Sequence, residues 1–263
     1  MLRTRLFCII SISLCALFSS RAQSLESQAV AYERIIYDGA PLDEVNAALL
    51  GKADCYMQLG RWREASETLA RVRVFALLPE ERHDLLYKQE LCFFLGGEFG
   101  QAASFVSEVE PDSPEIMLLH ALSLAYSGNY DESEIYAARY LSWDGPSPHL
   151  DALYKLYAGH PRERSQLASI LLAMVPPLGH IYNGAPSEGL LSAGLNAGAV
   201  AFTVANLLGG YWVTGIVGGA IALNYTVMGS QERNAALLEK YKHNAPLEFG
   251  DKVREFLKSV SEQ

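Results

Sequence analysis

The chain has 263 residues, of which 50% are apolar and 19% charged, and its formal net charge is -9 at pH 7. This length and apolar content allow a buried core and exclude an intrinsically disordered protein. The acidic balance argues against nucleic acid as a partner, because phosphate neutralisation needs a basic surface. The charge is also uneven, since Glu188 is the only charged residue between Ser165 and Ser230.

The N-terminal segment has the pattern of a secretory signal peptide. Two arginines precede an apolar and serine-rich run over residues 6–18, and Ser20 and Ala22 are the small residues that precede a cleavage site. A run of this length is short for a membrane span, which needs about 20 residues, so cleavage is favoured over an uncleaved anchor. We therefore expect residues 1–22 to be removed and the mature chain to be exported.

Two cysteines, Cys55 and Cys92, lie beyond the signal peptide. Each precedes a glycine by five residues, so the two occupy equivalent places in successive repeat units. Such places are about 10 Å apart in stacked helices, beyond the roughly 7 Å between bridged Cα atoms. We expect two buried free thiols, and two cysteines alone do not make a metal site.

Three similar segments follow one another in the first half of the chain. Their shared positions are Ala53, Tyr56, Gly60, Trp62 and Ala65, then Phe93, Gly97, Phe99 and Ala102, then Ala121, Leu124, Gly128, Tyr130 and Ser133. The pattern is typical of a helical hairpin. The glycine supplies the positive φ that ends a helix, the aromatic residue fills the gap between two helices, and the small residue lets their backbones approach.

This pattern resembles the tetratricopeptide repeat, whose period is about 34 residues. The resemblance covers residues 44–143, and it departs from the repeat at Glu90, where a small residue is usual, and at Ser133, where alanine is usual. The uneven spacing of the glycines leaves a degenerate array of helical hairpins as the alternative. The resemblance implies a solenoid that binds a protein or peptide.

Helices expected over residues 27–37 and 148–158 extend the repeat domain to residues 23–164. This domain has 12 basic and 23 acidic residues. That balance favours a basic or neutral partner, and a merely soluble acidic surface is the alternative.

Two uncharged segments, residues 189–208 and 212–229, are about 30 and 27 Å long as helices. Joined by a turn at residues 209–211, they predict a hairpin that crosses the lipid bilayer twice, and a buried hairpin in a soluble domain is the alternative. Small residues that suit close packing and self-association are Gly194, Gly198, Gly215 and Gly219. Three amides, Asn196, Asn206 and Asn224, are expected to form interhelical hydrogen bonds rather than a polar path.

Before this hairpin, prolines 176 and 177 stop an apolar run over residues 167–175, which is too short to span and is expected at the membrane interface. A motif follows at Pro177, Gly179, His180, Tyr182 and Gly184, with Gly189 a few residues later. It resembles a bacterial envelope family in which a Pro-Gly-x-Gly-His/Gln-x-Tyr-x-Gly motif precedes a two-helix membrane hairpin. Asn234 and Ala235 are similar to that family's closing segment. Pro177 departs from the motif, whose first glycine it replaces or shifts in register. The resemblance implies membrane association and no particular reaction, and we expect His180 to be structural.

The tail, residues 231–263, is predicted to be an amphipathic helix because Val253, Phe256, Leu257 and Val260 fall at helical spacing. The apolar face of this helix could pack on the repeats, on a partner or on the membrane surface. Two spans place the repeats and the tail on the same side of the membrane. Counting residues 167–182 as a third span would place the tail in the cytoplasm, and the two prolines favour two spans.

Together these patterns predict an all-α protein of the bacterial cell envelope, with repeats at 23–164, a membrane hairpin module at 165–230 and the tail at 231–263. We expect the repeats to lie on the periplasmic side of the inner membrane and to bind another envelope protein or peptide. A small oligomeric transport or insertion factor is the alternative. Zinc-binding spacings, phosphate loops and hydrolase motifs are absent from the sequence, so we expect no catalytic residue, cofactor or metal.

Overall fold

The computed structural model describes residues 22–175 and 177–262, and the regular structure within these ranges is helical throughout. The all-α class predicted from the sequence is confirmed. The predicted signal peptide lies outside the described residues except for Ala22. The described residues divide into two compact units, the first formed by residues 22–158 with 253–262, and the second by residues 159–252.

The first unit is a succession of helices in which each of those from α2 to α8 packs on the next one in the chain. They are α1 (residues 22–37), α2 (Leu42–Gln58), α3 (Trp62–Leu69), α4 (Pro79–Leu95), α5 (Phe99–Phe105), α6 (Pro114–Ser127), α7 (Tyr130–Leu141) and α8 (Leu150–Tyr157). Contacts between chain neighbours dominate this unit, and α4 also contacts α6.

Three turns between these helices share one hydrogen-bonding pattern. Gly60, Gly97 and Gly128 have φ of 70, 80 and 93°, in the left-handed region. At each turn, the N–H of the next residue donates to the carbonyl oxygen five residues earlier, at 2.9, 2.8 and 2.9 Å. This is the Schellman ending of a helix, and glycine adopts it without the strain that a Cβ brings.

Small residues beside these turns are fully buried, which lets adjoining helices approach closely. The side chains with no exposed surface are Ala53, Ala65, Ala102, Ala121 and Ser133. Ser133 donates a hydrogen bond to the carbonyl oxygen of Ala121 at 2.6 Å, so the hydroxyl that replaces the usual alanine is satisfied. Phe99, the aromatic residue after Gly97, stacks on Tyr126 with ring centroids 4.5 Å apart.

Glu90 breaks the small-residue pattern, and its buried carboxylate finds partners on α6. Glu90 and His120 are both fully buried, and Oε2 of the former lies 3.1 Å from Nε2 of the latter. Ser123 donates to the other carboxylate oxygen at 3.2 Å. The edge of the His120 ring meets the Tyr136 ring of α7, with centroids 5.1 Å apart. Oε2 of Glu90 and both ring nitrogens of His120 make no hydrogen bond among the described residues, so the bond from Ser123 is the one that joins this buried carboxyl to α6.

Cys55 and Cys92 are free and buried within the first unit. Desolvation by burial raises the pKa of Cys92 to about 11. The reactive thiolate is therefore scarce near neutral pH, and this thiol reports on unfolding rather than on redox chemistry.

The second unit contains α9 (Gln166–Ala173), α10 (Leu178–Tyr182), α11 (Pro186–Leu208) and most of α12 (Gly219–Ser261). A π-helical stretch, Thr214–Gly218, precedes α12. Helix α12 is continuous across residues 229–231, where the sequence suggests that a span ends and a tail begins. Its residues from Val253 onward belong to the first unit, and Val253 and Leu257 are buried.

Replacing Glu90 with alanine restores the usual small residue but leaves the buried Ser123 hydroxyl without its hydrogen-bond acceptor. We expect Glu90→Ala to lower the unfolding free energy by about 1–3 kcal/mol, the cost of an unpaired buried polar group. A urea titration read by thiol labelling of Cys92, located by mass spectrometry, measures the change. Exposed Glu132→Ala on α7 is the control and should stay within about 0.5 kcal/mol. An unchanged midpoint for Glu90→Ala would contradict a stabilising pair.

Candidate functional site

The second unit carries a broad apolar surface, formed by the exposed large apolar side chains between Leu167 and Met228. These number 22, against 11 exposed in the rest of the described chain. Helix α11 is the one helix in the described ranges that is long and apolar enough to cross a membrane. Of its most apolar 18-residue stretch, 11% is buried. A core helix of a soluble protein would be mostly buried. The second predicted span, by contrast, is divided between the π-helical stretch and α12.

Helix α11 and the helical segment after it lie antiparallel in one register. Successive contacts join Leu207 to Gly215, Thr203 to Gly219, Asn196 to Thr226, Ser192 to Ser230 and Glu188 to Arg233. Along this series the residue number falls on α11 and rises by nearly the same amount on the second helix. The two helices therefore pack along their whole shared length.

The turn of this helix pair has the same hydrogen bonds as the turns of the first unit. Gly210 has φ of 81°, and the N–H of Tyr211 donates to the carbonyl oxygen of Asn206 at 2.9 Å. Trp212 and Gly215 follow at the spacing of the aromatic and small residues in the repeats. One turn design thus closes helix pairs in both units.

The four small residues selected for close packing differ in what surrounds them. A Cβ on Gly215 would lie 2.9 Å from Cδ2 of Leu207, and one on Gly219 would lie 2.9 Å from Cβ of Thr203. At both positions a side chain would therefore crowd α11. A Cβ on Gly194 or Gly198 would meet open space among the described residues. Only the glycines of the second helix therefore bring this pair together.

The three amides of the apolar segments also differ. Asn196 accepts a hydrogen bond from Thr226 of the neighbouring helix at 3.0 Å. Asn206 donates to the carbonyl oxygen of Phe202 in its own helix at 2.9 Å. Asn224 is exposed on α12. The interhelical bonding expected of all three is therefore seen at Asn196.

A buried polar cluster of Ser169, Asn183 and Asn234 joins α9, the end of α10 and α12. The amide of Asn183 donates to the Ser169 hydroxyl at 2.8 Å and to Oδ1 of Asn234 at 2.7 Å. The amide of Asn234 donates to the carbonyl and hydroxyl oxygens of Ser169, at 3.1 and 2.9 Å. Oδ1 of Asn183 is buried without a hydrogen-bond partner among the described residues. The bonds that the two amides donate still join the three elements, because a buried amide donor is costly when it is unpaired.

The motif glycines are required by close backbone contacts around this cluster. A Cβ on Gly179 would lie 2.7 Å from Cα of Ala173 and 3.0 Å from Oδ1 of Asn234. A Cβ on Gly189 would lie 2.9 Å from Cβ of Pro177 and 3.0 Å from Cβ of His180. These contacts bring α9, α10 and α11 together more closely than any larger residue permits.

The remaining motif residues shape the entry to α11. Gly184 has φ of 78° and ends α10 in the Schellman pattern, with the N–H of Ala185 donating to the carbonyl oxygen of His180 at 2.8 Å. The hydroxyl of Tyr182 accepts a hydrogen bond from the N–H of Ser165 at 2.9 Å. His180 is 2% exposed, which places it in the interior of the unit.

Two charged residues form an ion pair at the end of the helix pair that lies away from the turn at residues 209–210. Arg233 donates to Glu188 through Nε at 2.6 Å and through Nη2 at 2.8 Å, a bidentate ion pair. Sequence reasoning noted both residues but did not pair them, and it overlooked Asn183. Glu188 and Arg233 are separated from the turn at residues 209–210 by similar numbers of residues, and this is the sequence signal that predicts their pairing.

In the first unit, α7 and α8 border an open groove of about 540 Å³. It is lined by Asp131, Glu134, Ile135, Ala138, Arg139, Ser142 and Tyr154. Ile135 and Tyr154 are exposed, at 53% and 46% of their surface. The groove therefore offers apolar contact area beside two carboxylates.

Within the described ranges, no group of three or more His, Cys, Asp or Glu side chains could hold a metal ion. Comparison of the chain with protein-family models, curated proteins and solved structures gives no match.

A methyl group at Gly179 collides with backbone atoms of Ala173, which cannot move aside as a flexible side chain can. We expect Gly179→Ala to destabilise the second unit by about 1–3 kcal/mol, the usual cost of overpacking. Thermal unfolding in detergent micelles, followed by circular dichroism, measures the shift. Gly194→Ala adds the same methyl in open space and should leave Tm unchanged or slightly higher, since alanine favours helix. Equal effects of the two substitutions would contradict the packing role of Gly179.

Proposed function

We propose that the protein is an exported scaffold of the bacterial cell envelope, anchored by the helix pair α11–α12 and binding another envelope protein or peptide through its helical repeats. The proposal assigns no catalysis to the chain. The observation that carries it is the exposed apolar surface between Leu167 and Met228.

Membrane anchoring is supported by the way the second unit distributes its polar groups. The cluster of Ser169, Asn183 and Asn234 and the pair Ser192–Ser230 are buried and hydrogen-bonded, while the 22 large apolar side chains between Leu167 and Met228 face outward. Water disfavours large contiguous apolar patches on a protein surface, whereas hydrocarbon tolerates them and disfavours unpaired polar groups. A bilayer is therefore the surrounding that suits this surface.

Two membrane crossings, rather than three, are supported by the length of the short helices. Helix α9 has eight residues, about 12 Å, against the roughly 30 Å of the bilayer core. Its exposed Leu167, Ile170 and Leu171 suit the interface, where an apolar face can enter the lipid while the buried face keeps Ser169 paired. On this reading, α9 and α10 lie at the membrane surface and α11–α12 span it.

A tetratricopeptide-like solenoid is supported by the three Schellman turns and by the packing of each helix from α2 to α8 on the next. The amphipathic tail has a natural site on the repeats, since Val253 and Leu257 are buried in the first unit. The groove between α7 and α8, with Asp131 and Glu134 beside Ile135 and Tyr154, suits a partner segment that carries basic and apolar side chains.

Charges placed on the apolar surface test the anchor. Lysine costs about 2.5–3.5 kcal/mol at the centre of a membrane span, so we expect Leu195→Lys/Val204→Lys to move the chain from carbonate-washed membranes into the soluble fraction. Leu42→Lys/Val74→Lys, at exposed sites of the first unit, is the matched control and should stay in the membranes. Protease added outside the inner membrane should digest the repeats of the unaltered chain. Retention of the first variant in membranes, or protection of the repeats, would contradict this part of the proposal.

A photo-reactive amino acid at Tyr154 tests the groove. We expect it to cross-link one envelope protein in living cells, and charge reversal by Asp131→Lys/Glu134→Lys to reduce that product at least about tenfold, because the groove would then repel a basic segment. The same photo-reactive residue at exposed Tyr37 is the control and should not capture that protein. A product that survives the charge reversal would show that the groove is not the binding surface.

A further inference from the structure

We propose that the anchor is a dimer in which α12 packs against α12 of a second copy, with the two Asn224 side chains hydrogen-bonded to each other. This inference rests on the proposed anchoring, and it adds the partner and the face that binds it.

Asn224 is the residue that requires a partner. It is exposed, and among the described residues its carboxamide makes no hydrogen bond. The neighbouring amides differ, since Asn196 bonds to Thr226 and Asn206 donates to Phe202 of its own helix. In water an exposed amide needs no protein partner, but in hydrocarbon an unpaired one is strongly unfavourable.

The helix register places Asn224 near the middle of the membrane. Asn196 lies next to the midpoint of α11 (Pro186–Leu208), and its bond to Thr226 fixes the level of that residue. Asn224 is two residues from Thr226, about 3 Å along the helix axis. Snorkelling to the interface is out of reach for so short a side chain at this depth.

The residues around Asn224 form a stripe suited to helix packing. Ile221, Asn224 and Met228 of α12 are exposed and follow one another at steps of three and four residues, and Val217 of the π-helical stretch is exposed four residues before Ile221. At about 100° per residue, the three α12 residues lie opposite the face that carries Gly219 and Thr226 and contacts α11. Such spacing is the heptad seam of packed helices, in which a single asparagine fixes register and the number of helices.

A second copy is the occupant that this stripe fits. All copies of a membrane protein insert with the same orientation, so the Asn224 side chains of two copies lie at equal depth. A carboxamide both donates and accepts, so two of them related by a two-fold axis satisfy each other. A helix of an unrelated protein would need a hydrogen-bond donor and acceptor at the depth of Asn224.

Cysteine cross-linking of the full chain in native membranes tests the dimer. We expect Ile221→Cys to form a disulfide-linked dimer under mild oxidation, and the unaltered chain, whose Cys55 and Cys92 are buried, to form none. Adding Asn224→Leu should reduce the dimer at least about tenfold, whereas Asn224→Gln, which keeps the amide, should retain it. Asn206→Leu is the matched control, because the amide of Asn206 donates within its own helix, and it should leave the dimer unchanged. Leu195→Cys on α11 reports chance collisions and should give no dimer.

Carbonate extraction of the same membranes separates failure of the dimer from failure of the anchor. A chain that stays in the membranes but gives no dimer with Ile221→Cys overturns this inference alone. The same holds if Asn224→Leu leaves the cross-link intact, or if Leu195→Cys cross-links as well as Ile221→Cys. A chain that washes out of the membranes overturns both the anchoring and the dimer.

Discussion

The architecture of this protein depends on the left-handed glycine turn. It occurs at Gly60, Gly97 and Gly128 in the first unit and at Gly184 and Gly210 in the second, each time with the same hydrogen bond to the carbonyl five residues before the following residue. The turn ends one helix and starts the next within a few residues, so it sets which helix faces meet. Helices as short as the five residues of α10 and as long as the 23 residues of α11 can then pack on their neighbours without long connections.

The features that could be predicted from the sequence are those governed by local rules. The turn glycines, the small buried residues such as Ala65 and Ala102, and the helical class all follow from residues a few positions apart. The pairs Glu90–His120 and Asn183–Asn234 could not be predicted, because each depends on the register of helices distant in sequence. The continuity of α12 was also unpredicted, since glycine and serine at residues 229–230 weaken a helix without ending it.

The two units differ in what they expose rather than in what they bury. Both cores combine apolar and polar side chains, such as Leu49 and Glu90 in the first unit and Phe249 and Asn234 in the second. The second unit, however, exposes 22 large apolar side chains between Leu167 and Met228, against 11 in the rest of the described chain. Because the surroundings of a protein select what it exposes, this difference is the physical basis for proposing that one unit meets water and the other lipid.

The sequence separation of the contacts has a consequence for the order in which the second unit assembles. A glycine turn joins residues that are neighbours in the chain, so contacts within a helix pair carry a small loop-closure cost. The bond between Asn183 and Asn234 spans 51 residues, and the ion pair of Glu188 with Arg233 spans 45. These contacts form only after both long helices are in place. The polar cluster is therefore the last part of the second unit to form, and its amide donors are paired only in the finished packing.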